Sequence, residues 1–263
     1  MHWIRSACAA LPALLLPLSL PVLSFPVFAQ NQQPPVPAQP PAPLTLPQPA
    51  GAPPVPAQAA PAHVEPRYLV VLDAAHGGGD TGARISDKVV EKDLTLALSV
   101  RLRSTLNAHG IGVVTTRESD VLIAPPARAG AANHAQAAAC LLIHATATGS
   151  GVHLFTSSLA PAPYARFAPW QTAQAAYVTQ SLKLSSDIDS ALAHAQIPVT
   201  LGRASVAPID NLTCPAVALE VAPLAAGNTT KAEPISDASY QKSVIDAITA
   251  ALEQWRSDWR QQP

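Results

Sequence analysis

What this chain has little of sets the first bounds. Only 13% of its 263 residues are charged, and the formal net charge is -1. No Lys/Arg cluster and no nucleic-acid-binding motif occurs, which argues against a partner held by bulk electrostatics. Cysteine is scarce as well, with three in all. Large apolar residues are nearly missing between Gln30 and Pro66, a stretch of Pro, Ala and Gln that holds much of the chain's 28 prolines. Such a segment has nothing to build a core from. It is a polyproline-like spacer, able to span on the order of 100 Å at about 3.1 Å per residue.

Ahead of the spacer, residues 1–29 have a short basic start at Arg5, an apolar stretch from Ala9 to Val27, and Val27-Phe28-Ala29 before Gln30. This is the pattern of a secretory signal cleaved after Ala29. Pro12, Pro17, Pro21 and Pro26 would break a spanning helix repeatedly, so no stable membrane anchor is expected once the signal is cleaved. The expected location is outside the cytoplasm, in the periplasm or cell envelope. Cys8 leaves with the signal. Cys140 and Cys214 then stand in an oxidising compartment, four and six residues before polar residues that end two apolar runs. They are placed either to pair or to stay as two buried thiols.

What remains, residues 67–263, is long enough for one α/β domain with its own core. Tyr68-Leu69-Val70-Val71-Leu72 is a continuous apolar run, as in a parallel strand covered on both faces, and it leads into His76 in a glycine-rich turn. Glu91-Lys92-Asp93 opens a helix with the stripe Leu94, Leu98, Leu102 and Leu106, stopped at Gly110. A strand over 112–116 and a helix over about 127–138 follow. Strand, helix and strand in this order imply parallel pairing. Cys140-Leu141-Leu142-Ile143-His144 repeats the first pattern, an apolar run that ends in a histidine.

Residues 151–155 form an edge or antiparallel strand, in which His153 reads as solvent-facing or structural. Residues 157–171 read as an irregular segment suited to a lid or a docking surface. A mostly helical stretch from about Thr172 to Ala195 is interrupted near Ser185-Ser186, and His134 and His194 read as helix-surface residues. Pro215-Ala216-Val217-Ala218-Leu219-Glu220-Val221 is an apolar run carrying one carboxylate, which needs a partner, a proton or a metal if buried. A final helix from about Ser236 buries Val244, Ile245, Ile248, Leu252 and Trp255.

Three strand ends thus present His76, His144 and Glu220 at one rim of a sheet, with Glu91 at the start of the following helix. In open α/β sheets that rim is where ligands bind. Two imidazoles and one carboxylate make a catalytic zinc shell with a position left for water, and the other carboxylate is free to act as a base. Spacing alone leaves the roles of Glu91 and Glu220 interchangeable. Asp73 has two accounts, a partner that orients His76 or a strand-end turn former.

The motifs His76-Gly77-Gly78 with Asp80 and Gly82, Glu91-Lys92-Asp93-Leu94, Arg117, Ala132-Asn133, Ile143-His144-Ala145 and Pro215-Ala216-Val217 before Glu220 carry a resemblance. In order and spacing they resemble the zinc-dependent N-acetylmuramoyl-L-alanine amidases of bacterial cell-wall hydrolysis, the AmiC-like amidase-3 family, from about Tyr68 to Trp255. The resemblance implies a mixed, mostly parallel α/β sheet flanked by helices. It also implies zinc held by His76, Glu91 and His144, with Glu220 as the catalytic carboxylate and peptidoglycan muramyl peptides as substrate. No long inhibitory insertion follows Phe155, so no divisome-type activator is implied.

Three departures leave the ligands in place but bear on loop shape and substrate contacts. Ala75 replaces the glycine usual before the first histidine, Thr146 replaces the asparagine usual after the second, and Val221-Ala222-Pro223-Leu224 replaces the usual Gly-Phe after the glutamate. They motivate an alternative, a catalytically degenerate peptidoglycan-binding or regulatory domain. A zinc peptidase acting within the stem peptide would share the metal site and give different products.

Overall fold

The computed structural model describes residues 68–162, 169–225 and 232–260. The expected signal and spacer, residues 1–66, lie outside the described residues. In chain order the elements are β1 (Leu69–Ala74), α1 (Glu91–Ala108), β2 (Gly112–Thr115), α2 (Pro125–Ala135), β3 (Ala139–Ala145) and β4 (Val152–Thr156). After a 3₁₀ turn at Trp170–Ala176 come α3 (Val178–His194), β5 (Val199–Arg203), β6 (Ala216–Val221), the short β7 (Leu224–Ala225) and β8 (Ala232–Glu233), and α4 (Ala238–Arg260).

One sheet organises these elements, in the order β2-β1-β3-β6-β4-β5. β2, β1, β3 and β6 are mutually parallel, β4 runs antiparallel to β6, and β5 is parallel to β4. This is the mixed, mostly parallel α/β sheet that the family resemblance implies, with the parallel pairing expected from the order of strands and helices. Because strand side chains alternate, each strand feeds two cores. Val70, Leu72, Leu141, Ile143, Leu154, Val217 and Leu219 pack on one side against Leu98 and Leu102 of α1, Leu184 and Ile188 of α3, and Ile248 and Leu252 of α4. Val71, Leu142 and Ala218 pack on the other against Ala129 and Ala132 of α2 and against Ile209 and Leu212.

Several boundaries shift for identifiable reasons. β1 runs through Asp73 and Ala74, because the buried Arg128 neutralises Asp73 and both residues stay in register with β3. α2 starts at Pro125, where a missing amide proton is no loss, and ends before Gln136, which takes the left-handed conformation at φ 50°. The interruption expected at Ser185-Ser186 does not occur. α3 passes through it, with Ser181 and Ser185 turned inward as small buried residues, and the change of helix type falls at Tyr177. β5 has no counterpart among the strands expected from the sequence, because as an edge strand it is mostly exposed and lacks a buried run.

Cys140 and Cys214 are paired in a disulfide with Cα atoms 6.1 Å apart. It joins the start of β3 to the approach of β6, which are neighbours in the sheet. Of the segment expected as a lid or docking surface, residues 163–168 lie outside the described residues. β4 carries the chain away from the carboxyl ends of β1, β3 and β6, and Ser157 there hydrogen-bonds Asp210 while Arg203 donates to the Leu159 carbonyl.

Candidate metal centre

The first histidine sits where β1 gives out. The Ala75 amide still bonds the Ile143 carbonyl of β3 at 3.0 Å, and the next residue, His76, takes a left-handed conformation at φ 62°. For a residue other than glycine this is strained by about 1–3 kcal/mol and needs its surroundings to impose it. Two buried arginines do so. Arg128 donates to Asp73 at 2.8 Å, to the Ala74 carbonyl at 2.6 Å and to the His76 carbonyl. Arg117 donates to the carbonyls of Ala74, Ala75 and Lys92 at 2.8–2.9 Å, so it ties the end of β1 to the first turn of α1.

That tie brings Glu91 to His76. Glu91 Oε2 lies 3.1 Å from His76 Nε2, and Glu91 Oε1 lies 2.9 Å from His144 Nδ1. The amides of Ala83 and Ala145 donate to the same carboxylate at 2.9 and 3.2 Å. Burial by itself would push the Glu91 carboxyl up, but the bonds from His144 and the two amides outweigh it and hold the group below its ordinary value. Gly82 makes room for this meeting. Its φ is +63°, and a Cβ there would stand 2.5 Å from His76 Cδ2 and 2.6 Å from Glu91 Oε2.

His76, Glu91 and His144 each offer a donor atom, and the three atoms lie within 4.8 Å of one another. Ligands about 2.1 Å from one tetrahedral zinc stand roughly 3.4 Å apart, so modest side-chain adjustment closes the set on one ion. The donor chemistry, two imidazoles and a carboxylate, also fits zinc. His76 is turned for it by Asp80, whose Oδ2 is 2.8 Å from His76 Nδ1 and leaves Nε2 toward Glu91. The bond from His76, helped by the Gly82 amide, lowers the pKa of Asp80.

Glu220 stands outside this trio. It pairs in register with His144 on β3 and, across the antiparallel step, with His153 on β4, whose Nδ1 is 2.7 Å from Glu220 Oε2. So the geometry separates the two carboxylates, with Glu91 between the imidazoles and Glu220 one strand away. Of the two readings of His153, solvent-facing or structural, the second holds, with the ring partly buried against Glu220. Asp73 fits neither of its two accounts. Its carboxylate accepts from Arg128 and Thr116, and it acts on His76 only through the backbone that Arg128 holds. His134 and His194 are exposed on their helices, as expected. A cavity of about 400 Å³ beside Tyr177, Gln180 and Trp255 opens at the other end of the sheet and contains none of these residues.

The family model described as N-acetylmuramoyl-L-alanine amidase, Amidase_3, matches residues 70–254. The chain belongs to the Amidase_3 family. Among curated relatives, the germination-specific N-acetylmuramoyl-L-alanine amidase of Bacillus subtilis is 44% identical over 62 residues, 24% of this chain and 26% of that protein. The N-acetylmuramoyl-L-alanine amidase AmiC of Neisseria meningitidis is 31% identical over 107 residues, 38% of this chain and 26% of that protein. The matched stretches thus span about a quarter of those relatives. The catalytic domain of CwlV from Paenibacillus polymyxa superposes with a TM-score of 0.56 at 23% identity, covering 72% of this chain and 98% of that one. Ami1 from Mycobacterium smegmatis gives 0.57 at 18%, covering 73% and 97%. At these identities the likeness shows the fold.

The departures from the Amidase_3 pattern are accommodated locally. Ala75 stays in the ladder with β3 and has no positive φ to demand glycine. The Thr146 hydroxyl accepts from the Thr148 amide and so shapes its own turn. After Glu220, the Ala222 amide bonds the Gly151 carbonyl, and the buried Tyr240 hydroxyl contacts the carbonyls of both Gly151 and Ala222.

Proposed function

We propose that this Amidase_3 chain hydrolyses the amide between the lactyl group of N-acetylmuramic acid and the L-alanine of the stem peptide, with His76, Glu91 and His144 holding zinc. One observation carries the reading. Two imidazoles converge on the buried Glu91, while a second carboxylate, Glu220, stands one strand away and remains a third exposed. A zinc ion held by the trio supplies Lewis acidity and lowers the pKa of a bound water toward about 7.

Glu220 does the proton work. One of its carboxylate oxygens takes a proton from the attacking water as the oxygen bonds to the lactyl carbonyl carbon. As the carbon–nitrogen bond breaks, Glu220 returns that proton to the alanine nitrogen, so that one amide and one water become a carboxylic acid and a free amine. Asp80 and the arginines Arg117 and Arg128 keep the His76 loop in the conformation this requires.

In this proposal residues 1–29 direct export and are removed, residues 30–66 give reach, and residues 67–263 act on peptidoglycan in the cell envelope. No helix among the described residues is long and apolar enough to cross a membrane. The test is mass spectrometry of purified peptidoglycan digested by the chain lacking residues 1–29, with and without a zinc chelator. Chelator-sensitive release of stem peptides beginning at L-alanine supports the amidase. Intact muramyl-peptide linkages with folded, zinc-loaded protein would favour the binding or regulatory domain, and cuts within the stem would favour a peptidase.

A further inference from the structure

Glu220 has a partner that the metal-type trio does not use. His144, Glu220 and His153 form one row across three adjacent strands, β3, β6 and β4. Side chains at paired positions share a face, so the row stands on the face that carries Cys140 and Ala218. Within it, His153 Nδ1 lies 2.7 Å from Glu220 Oε2. An ionised carboxylate only accepts hydrogen bonds, so Nδ1 carries the proton and donates it. Glu220 Oε1 has no hydrogen-bond partner among the described residues.

The far edge of the imidazole is fixed as well. Gly149, in the loop between β3 and β4, has φ +88°, and a Cβ there would stand 2.5 Å from His153 Cε1 and 2.6 Å from its Nε2. Only a residue without a side chain lets the loop close over the ring. The ring is thus held between the Gly149 backbone and the Glu220 carboxylate.

We propose that His153 is the positioning residue for Glu220. Its Nδ1–H pins Oε2, leaving Oε1 to exchange the proton with the attacking water and the departing amine. The inference rests on the amidase function proposed above. A glutamate that is 33% exposed has several rotamers open to it, and misplacing a reacting group by about 1 Å is enough to slow catalysis roughly 100-fold. The step moves one proton from water through Glu220 to the amine with no change of oxidation state, and His153 keeps its own proton throughout.

The test compares the parent with His153→Ala and His153→Asn, all loaded with zinc, on a soluble muramyl-peptide substrate. His153→Ala is expected to lower kcat about 10–100-fold while KM, zinc stoichiometry and Tm stay near the parent's. His153→Asn, whose side-chain amide donates from close to the Nδ1 position, is expected to restore most of kcat. In the metal-free parent, a long-range proton–nitrogen NMR spectrum is expected to show His153 as the Nδ1–H tautomer. An Nε2–H tautomer, a His153→Ala enzyme within about twofold of the parent, or a His153→Asn enzyme as slow as His153→Ala each overturns the role. Should His153→Ala fail to fold, the tautomer still decides. A parent that hydrolyses nothing strikes down the amidase function and this role together, whereas an active parent with an equally active His153→Ala strikes down this role alone.

Discussion

Asp80 Oδ2 and His76 Nδ1 are 2.8 Å apart, one helical-turn's spacing along the chain but in a glycine-rich loop rather than a helix. The carboxylate fixes which ring nitrogen of His76 carries the proton and which faces Glu91. Removing such a partner typically lowers metal affinity about 10–100-fold. Asp80→Ala is therefore expected to weaken zinc binding by that factor in a competitive chelator titration, with far-UV circular dichroism unchanged.

On the proposed mechanism, replacing Glu220 by Gln keeps shape and removes the proton acceptor. Turnover is expected to fall on the order of 10²–10⁴-fold, with zinc content and Tm retained. His76→Ala is expected to lose metal and activity together. Zinc stoichiometry by elemental analysis separates the two variants, and full activity in Glu220→Gln would contradict the assignment of the base.

The buried pair Arg128–Asp73, at 2.8 Å, holds the strained turn at His76. Arg128→Met strands the Asp73 charge, which in comparable buried pairs is destabilising by about 3–5 kcal/mol. Urea denaturation at neutral pH measures it. Adding Asp73→Asn to Arg128→Met should recover part of the loss, because the unpaired charge is then gone.

The Cys140–Cys214 disulfide spans a sequence separation of 74 residues. On the chain-entropy account, opening a loop of that size lowers stability by about 4 kcal/mol. Thermal unfolding with and without reductant, and of Cys140→Ala/Cys214→Ala, is expected to show that drop in both.

Asp237, immediately before α4, accepts from the Ser239 hydroxyl and from the amides of Ser239 and Tyr240. The Ser239 hydrogen bond, with the Tyr240 amide, lowers its pKa in the folded protein. Its stabilisation is therefore complete above the unfolded value of about 3.9 and is lost as pH falls through the lower folded value. Asp237→Ala is expected to lower Tm by about 2–4 °C at pH 7, with the gap to the parent closing in strong acid, as calorimetry at both pH values would show.

Much of this molecule is legible along the chain because its signals are local. The runs 68–72 and 140–144 are apolar enough to be buried on both faces, and each became a central parallel strand. The α1 stripe and the α4 stripe follow helical spacing, and both lie in the core. Residues whose position depends on distant neighbours were harder. Asp73 reads as a polar strand end until Arg128, from α2, is seen to meet it. Asp80 is visible as part of a motif, yet the loop that returns it to His76 follows no periodic pattern. β5 leaves little trace, since an edge strand has one exposed flank and no continuous apolar run.

The sequence by itself determined the chemistry at hand, two strand-ending histidines and two carboxylates, because residue type and local periodicity are written in order along the chain. It also determined the strands that carry His76, His144 and Glu220 to one rim. Only the tertiary structure decided which carboxylate joins the imidazoles and which pairs with His153. That choice follows from the Arg117 tie between β1 and α1 and from the reversal of β4 against β6. Both are contacts between segments far apart in sequence, set by how whole elements pack and invisible to any local window.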